Sequence, residues 1–404
     1  MPEPVPIRHL YVHIPFCRSR CAYCDFASEP VGAHLRAGRV DAYLGRLFAE
    51  LRERMVAGSH DRPPATAATA PGAVATIYLG GGTPTVLPRP LLLALVTELA
   101  HLQKGVAYPE FTIETNPGTV DGPLLGELGQ AGITRVSLGV QSFSPRLRAA
   151  LGRRTEQGEI EAALCDLRAA AATGDDAPQA GAGSGLREWT VDLVFGITGQ
   201  SWAEATADID AAVAAGPTHI SLYDLTYSQA YRSLVARTHG AGAQGAAGAF
   251  AEYYLPAAAA RLGAAGYRRY EVSNFALPGH ECRHNLGYWR GEDYLGIGAA
   301  AVSTVGSERR TNPAPVAGYI AGEAPSIEVV DARTRLWEKA MLGLRTAEGV
   351  AEAEVLPVLD QTALDRLVAQ DCVRRGCGRL RLNPAFLDVS NTIISTLLAS
   401  SEES

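Results

Sequence analysis

Cys17, Cys21 and Cys24 stand in the run Tyr11-Val-His-Ile-Pro-Phe-Cys-Arg-Ser-Arg-Cys-Ala-Tyr-Cys-Asp-Phe26, a C-x3-C-x2-C spacing directly after a short apolar strand. Three thiolates within eight residues can hold three corners of a cuboidal iron–sulfur cluster and leave the fourth iron without a protein ligand. An open iron is where a small molecule can bind and accept an electron. On the residues alone, zinc ligands and buried structural thiols stay open as plainer readings. Zinc sites usually take four Cys or His ligands in paired short spacings. Here no second C-x-x-C follows, and Cys372 and Cys377 are distant in sequence.

Other residues with chemical potential recur at the ends of apolar runs. Gly80-Gly-Gly-Thr-Pro-Thr85 can bring backbone close to a ligand and expose its N–H groups. Glu114, in Glu114-Thr-Asn-Pro117, could take an amino group, although a solvated loop charge is the plainer reading. Gln141 ends another run and Arg153 follows. Asp192 lies inside the apolar stretch Val191–Phe195 and must find a partner, because burying an unpaired charge is costly. A last group is Tyr270-Glu-Val-Ser-Asn-Phe275, then Cys282-Arg-His-Asn-Leu-Gly-Tyr-Trp289. Its thiol and imidazole could ligate haem iron, and its aromatics could stack on a macrocycle. The plainer reading is a loop whose Tyr288 and Trp289 pack on the fold. His13 and His219 read as satisfied core or site-lining residues.

These residues need a frame. Strands are expected near Leu10–Ile14, Ala75–Leu79, Phe111–Thr115, Arg135–Val140, Thr190–Phe195 and His219–Tyr223. Helical patterns alternate with them at Val40–Val56, Arg89–Leu102, Gly122–Ala131, Glu159–Ala172 and Trp202–Ala215. Six β/α units in series predict an α/β fold with a parallel sheet and outer helices, an incomplete (β/α)6 barrel rather than a full eight-unit one. Chemistry in such sheets collects at the C-terminal ends of strands, so every motif above is expected there. Ala/Gly/Pro-rich stretches at Ala57–Ala73, Thr173–Gly185 and Thr238–Ala249 read as surface insertions. The barrel and its extension are expected over 1–310. From about Ile327 the character changes to a smaller, mainly helical C-terminal domain, 327–404, with helices near Leu336–Leu344, Leu359–Asp371 and Val389–Leu398 and a short strand at Gly378–Asn383.

The chain has 404 residues, 47% of them hydrophobic and 20% charged, which suits a globular protein. A net charge of −7 without a basic block argues against nucleic acid as a partner. No signal peptide or transmembrane run is visible, so a cytoplasmic place is expected, with peripheral contact to a membrane left open. Seven cysteines read as reduced thiols rather than a disulfide framework.

Taken in order, the runs YVHIPFCRSRCAYCDF, GGGTPT, ETNPG, RVSLGVQSF, LGRR, DLVFGITGQ, YEVSNFA, CRHNLGYW and YLGIGA resemble the radical S-adenosylmethionine (SAM) superfamily, and within it the HemN/HemW group of oxygen-independent coproporphyrinogen oxidase-like proteins. The resemblance covers about Leu10 to Thr304. It implies a [4Fe–4S] cluster on Cys17, Cys21 and Cys24, with SAM on the open iron. In the reductive family reaction the cluster donates an electron, SAM splits, and the resulting radical abstracts hydrogen from substrate. Tyr11 and Glu114 fall where family members contact SAM; Tyr23, Gly81, Gly82, Thr83, Gln141, Arg153 and Asp192 match other contact positions.

Within the group, HemN-like members usually carry a further cysteine two residues after the third, and a long N-terminal extension. Here Phe26 occupies that position and ten residues precede Tyr11, which points to HemW-like members. In those, the run from His284 through Asn285 and Tyr288 to Trp289 is associated with haem. Thr155, Thr198 and Val302 depart from the family pattern. The resemblance therefore implies a haem chaperone, with haem or porphyrin as cargo and haemoproteins as recipients. The alternatives are an oxygen-independent coproporphyrinogen III oxidase, a radical methyltransferase, or a binding module with a zinc or structural metal site.

Overall fold

The computed structural model describes residues 7–57, 74–174, 185–226, 228–239 and 248–398. The insertions expected between them fall largely outside the described residues. Six strands carry the site: β1 (His9–Ile14), β2 (Thr76–Gly81), β3 (Glu110–Thr115), β4 (Arg135–Gln141), β5 (Glu188–Phe195) and β6 (His219–Asp224). They pair in that order, all parallel. Helices α1 (Arg39–Ala57), α2 (Arg89–Ala100), α3 (Gly122–Ala131), α4 (Gln157–Gly174) and α5 (Trp202–Ala215) lie between them in the chain.

Each strand alternates. Leu10, Val12 and Ile14 of β1, Ile77 and Leu79 of β2, and Phe111 and Ile113 of β3 belong to the main apolar core. The intervening positions are His9, Tyr11 and His13, then Thr76, Tyr78 and Gly80, then Glu110, Thr112 and Glu114. Parallel strands covered on both faces usually read as continuous apolar runs. Here one face packs on helices and the other lines a polar interior, so the period is two.

Local signals set the helix ends. Asp121 accepts from the Leu124 N–H at 2.7 Å to cap α3, and Gly132 ends it at φ +122°. Ser201 and Glu204 form a reciprocal capping box on α5, which stops at Gly216 with φ +74°.

The sheet then continues. Beyond α6 (Gly248–Ala264) come β7 (Arg268–Arg269), β8 (Asn274–Ala276), α7 (Arg283–Trp289), β9 (Tyr294–Ile297), β10 (Val302–Val305), β11 (Glu308–Thr311) and β12 (Ser326–Val329). The order is β12-β11-β10-β9-β1-β2-β3-β4-β5-β6-β8-β7, an open twelve-stranded sheet with β9 parallel to β1. It is an incomplete barrel. A second apolar cluster runs from Ala340 to Leu397, built from helices and a three-stranded sheet of Val350–Ala351, Val373–Gly376 and Arg379–Leu382. Among the described residues no helix is long and apolar enough to cross a membrane.

Candidate functional site

The C-terminal ends of the parallel strands open on a chamber of about 710 Å³. Cys17, Cys21 and Cys24 line it, all free and half-buried. Cys17 ends a two-residue strand, Phe16–Cys17, that pairs with Glu29–Pro30 and so anchors the cysteine loop at both ends. The Thr83 hydroxyl reaches Cys17 Sγ at 3.6 Å, and Asn116 Nδ2 donates to that hydroxyl at 2.6 Å. Among the described residues no three His, Cys, Asp or Glu side chains converge on a single ion.

The glycine run has a structural reason that its sequence reading missed. A Cβ on Gly81, at φ +108°, would lie 2.4 Å from the His13 ring, and one on Gly82 would lie 2.5 Å from the Phe16 carbonyl oxygen. The N–H groups do not stand open to a ligand. Gly81 N–H donates to Glu114 Oε2 at 2.9 Å, Gly82 N–H to the Ile14 carbonyl at 2.8 Å, and Thr83 N–H to the Phe16 carbonyl at 2.7 Å. The glycines let β2 pass against the cysteine loop. Gly82→Ala is expected to lower stability by about 1–3 kcal/mol through this overpacking, read as a shifted denaturant midpoint; an unchanged midpoint would show that the loop yields.

Glu114 accepts from Tyr78 OH at 2.8 Å as well as from Gly81. Burial pushes its carboxyl up to about 7, against those two hydrogen bonds, with Asp192 adding to the rise. Burial likewise raises Asp192, whose Oδ2 accepts from Ser137 at 2.7 Å. Its partner is thus a hydroxyl rather than a cation, and Oδ1 has no protein partner. Arg153 ties the wall together: it donates to Asn116 Oδ1, to the Gly139 carbonyl, and to Tyr23 OH at 3.4 Å. Gln141 holds φ +70° just past a register shift in β4 and lines the chamber.

Glu271, fully buried where β7 and β8 meet the C-terminal cluster, is raised to about 7 by the same burial. Unfolded, both glutamates titrate near 4.5. The folded chain holds more protons between those values, so stability is greatest below about pH 4.5 for these groups and is lost as pH rises through about 7. The buried His284 pulls the other way, so the check is a difference: between about pH 4.5 and 7 the midpoint of the wild type relative to Glu114→Gln should fall as pH rises, and a constant difference would rule Glu114 out as a source.

The structure brings Tyr23, Gly81, Gly82, Thr83, Glu114, Gln141, Arg153 and Asp192 to one chamber with the three cysteines. Tyr78, Asn116, Ser137 and Tyr223 also line it and went unread. The signal was strand alternation: Tyr78 is two before Gly80, and Ser137 two before Gly139. Tyr11 does not line the chamber. Its OH meets His13 Nδ1 at 2.9 Å and its ring stacks on Tyr78.

The expectation that every motif sits at a strand C-terminus is corrected for the His284 run. That run forms α7, seated at the opposite end. The Arg283 and His284 N–H groups each donate at 2.8 Å to Glu110, the first residue of β3, whose carboxylate meets the helix N-terminus. His284 is 1% exposed. Its Nδ1 meets Thr76 Oγ1 at 2.8 Å, its Nε2 meets Tyr288 OH at 3.2 Å, and its ring stacks on Tyr78. Burial lowers it to about 3. Gly287 lets the helix close on His9, whose ring a Cβ would meet at 2.7 Å. Asn285, Tyr288 and Trp289 are half-buried on the same helix.

Residues 11–173 match the radical SAM superfamily. Proteins named Heme chaperone HemW are similar over most of the chain. That of Synechocystis is 33% identical, covering 89% of this chain and 82% of its own. That of Mycobacterium tuberculosis is 32% identical over 96% and 94%, and that of Escherichia coli 34% over 74% and 70%. The chain belongs to the HemW family of radical SAM proteins. The solved structure of coproporphyrinogen III oxidase HemN from Escherichia coli, described as a radical SAM enzyme, shares the fold. Its TM-score is 0.74 at 20% identity, over 98% of this chain and 90% of that one.

Radical SAM membership implies a [4Fe–4S] cluster and SAM. The HemW-family donor set fits both: three free thiols on one wall, and beside them the buried carboxyls of Glu114 and Asp192, the latter with Oδ1 without a protein partner.

Proposed function

We propose that this chain is a haem chaperone that binds haem and passes it to recipient haemoproteins. Cys17, Cys21 and Cys24 would hold the cluster. Tyr23, Gly81, Gly82, Thr83, Glu114, Gln141, Arg153 and Asp192 would hold SAM, with Tyr11 acting from below. When bound, the cluster with SAM supplies one-electron chemistry; the chain's own residues orient the ligand and shield it from water. The carrying observation is the extended similarity to several proteins named Heme chaperone HemW.

The chamber's charge suits a cationic ligand such as SAM. Five carboxylates line it (Asp25, Glu114, Glu159, Asp192 and Asp224) against three guanidiniums (Arg18, Arg153 and Arg154). Arg18 is already paired with Glu159, and Arg153 is tied into the wall.

Haem at His284 would require α7 to move away from Thr76 and Tyr78, because the ring is buried against them and both nitrogens are engaged, Nδ1 with Thr76 and Nε2 with Tyr288 of the same helix. The test is haem titration of anaerobically reconstituted protein. A Soret shift is expected, weakened in His284→Ala, with no protoporphyrinogen formed from coproporphyrinogen III, SAM and reductant. Haem uptake no greater than that of an unrelated control protein would sink the chaperone reading; protoporphyrinogen formation would establish the oxidase.

A further inference from the structure

We propose that Tyr78 is a positioning residue that couples the chamber to α7, so that a ligand held at Glu114 sets how firmly His284 is seated. Tyr78 touches both. Its OH donates to Glu114 Oε1 at 2.8 Å, and its ring stacks on His284 with centroids 5.2 Å apart and planes 27° apart. A second ring, Tyr11, stacks on Tyr78 at 6.2 Å and 28°. Tyr11 OH meets His13 Nδ1, and His13 Nε2 meets the Ala27 carbonyl at 2.9 Å, three residues past Cys24. Tyr78 is therefore reached from the SAM side through Glu114 and from the cysteine loop through Tyr11.

The sign follows from the chemistry. A cationic amino group at Glu114 favours the ionised carboxylate. A hydroxyl donating to an ionised acceptor makes a shorter, stronger bond than one donating to a neutral acid. Tyr78 is then held more tightly, and the stacked His284 with it. Removing that ligand relaxes Tyr78 and frees α7 to leave Thr76. SAM and haem thus oppose each other, and by linkage each weakens the other's binding by the same factor. The haem half of this inference rests on the haem-chaperone reading; the coupling of Glu114 to α7 stands without it.

The decisive measurement is amide exchange across Arg283–Trp289 in cluster-loaded protein, with and without SAM and without reductant. SAM should slow this exchange by about five-fold in the wild type, and the slowing should vanish in Tyr78→Phe, which keeps the ring and loses the hydroxyl. An unchanged rate in the wild type, or equal slowing in both proteins, overturns the coupling. Read from the other end, His284→Asn should change SAM affinity by calorimetry, which also decides the matter should Tyr78→Phe lose SAM. An affinity equal to wild type counts against the proposal. Should the wild type take up no haem while α7 still responds to SAM, the chaperone reading fails and the coupling survives.

Discussion

Cys21→Ser is expected to fold normally and hold no stable cluster. After anaerobic reconstitution the wild type should carry about four irons per chain with matching sulfide, and the variant well under one. The loss is near total because only three protein thiols reach the chamber, so removing one leaves two for a cluster that already has an open corner. Folding survives because Cys21 sits on a half-buried loop rather than in the apolar core. Cys165→Ser, at an exposed position on α4, is the control and should load like the wild type. Equal iron in the Cys21 variant would dismiss the triplet as the cluster ligand set.

Glu188→Ala is expected to cost about 3–5 kcal/mol, although it lies far from the cysteines. Arg135 opens β4 and is 2% exposed. Its guanidinium is ion-paired with Glu188, and Nη2 also donates to the His280 carbonyl at 2.8 Å. Removing Glu188 leaves that buried cation with a single carbonyl and two nitrogens without partners. The readout is a denaturant midpoint. The exposed pair Arg261–Asp210 supplies the contrast, since Asp210→Ala should barely move it. A small effect at Glu188 would mean that nearby Glu110 takes over the charge.

Much of the barrel was legible because its strands are long and flanked by strong signals. Gly122–Ala131 and Trp202–Ala215 match the helices residue for residue, where Asp121, Gly132, Ser201 and Gly216 set the ends. The six main strands match within two residues at each end. The second half of the sheet was not legible. Strands β7 to β12 are two to four residues long, too short for a period to show, and several pair antiparallel through hairpins.

The site divides in the same way. Cys17, Cys21 and Cys24 cluster in sequence and could be read together. Tyr78, Ser137 and Tyr223 come from separate strands and meet only once the sheet is formed. The position of α7 was hidden for a related reason. Its contacts with Glu110 and Thr76 span more than 170 residues, and nothing local in Cys282–Trp289 specifies them.

The two-residue alternation of the strands also bears on how this chain can change its length. A single residue inserted within β1, β2 or β3 would turn the following side chains over. Leucine and isoleucine would enter the chamber, and histidine, tyrosine or glutamate would enter the helix layer. No local repacking absorbs such an exchange. Insertions are therefore confined to the connections, and the long Ala/Gly/Pro-rich stretches at 58–73, 175–184 and 240–247 all fall between strands. The strands behave as fixed-length words, and the chain grows only in the spaces between them.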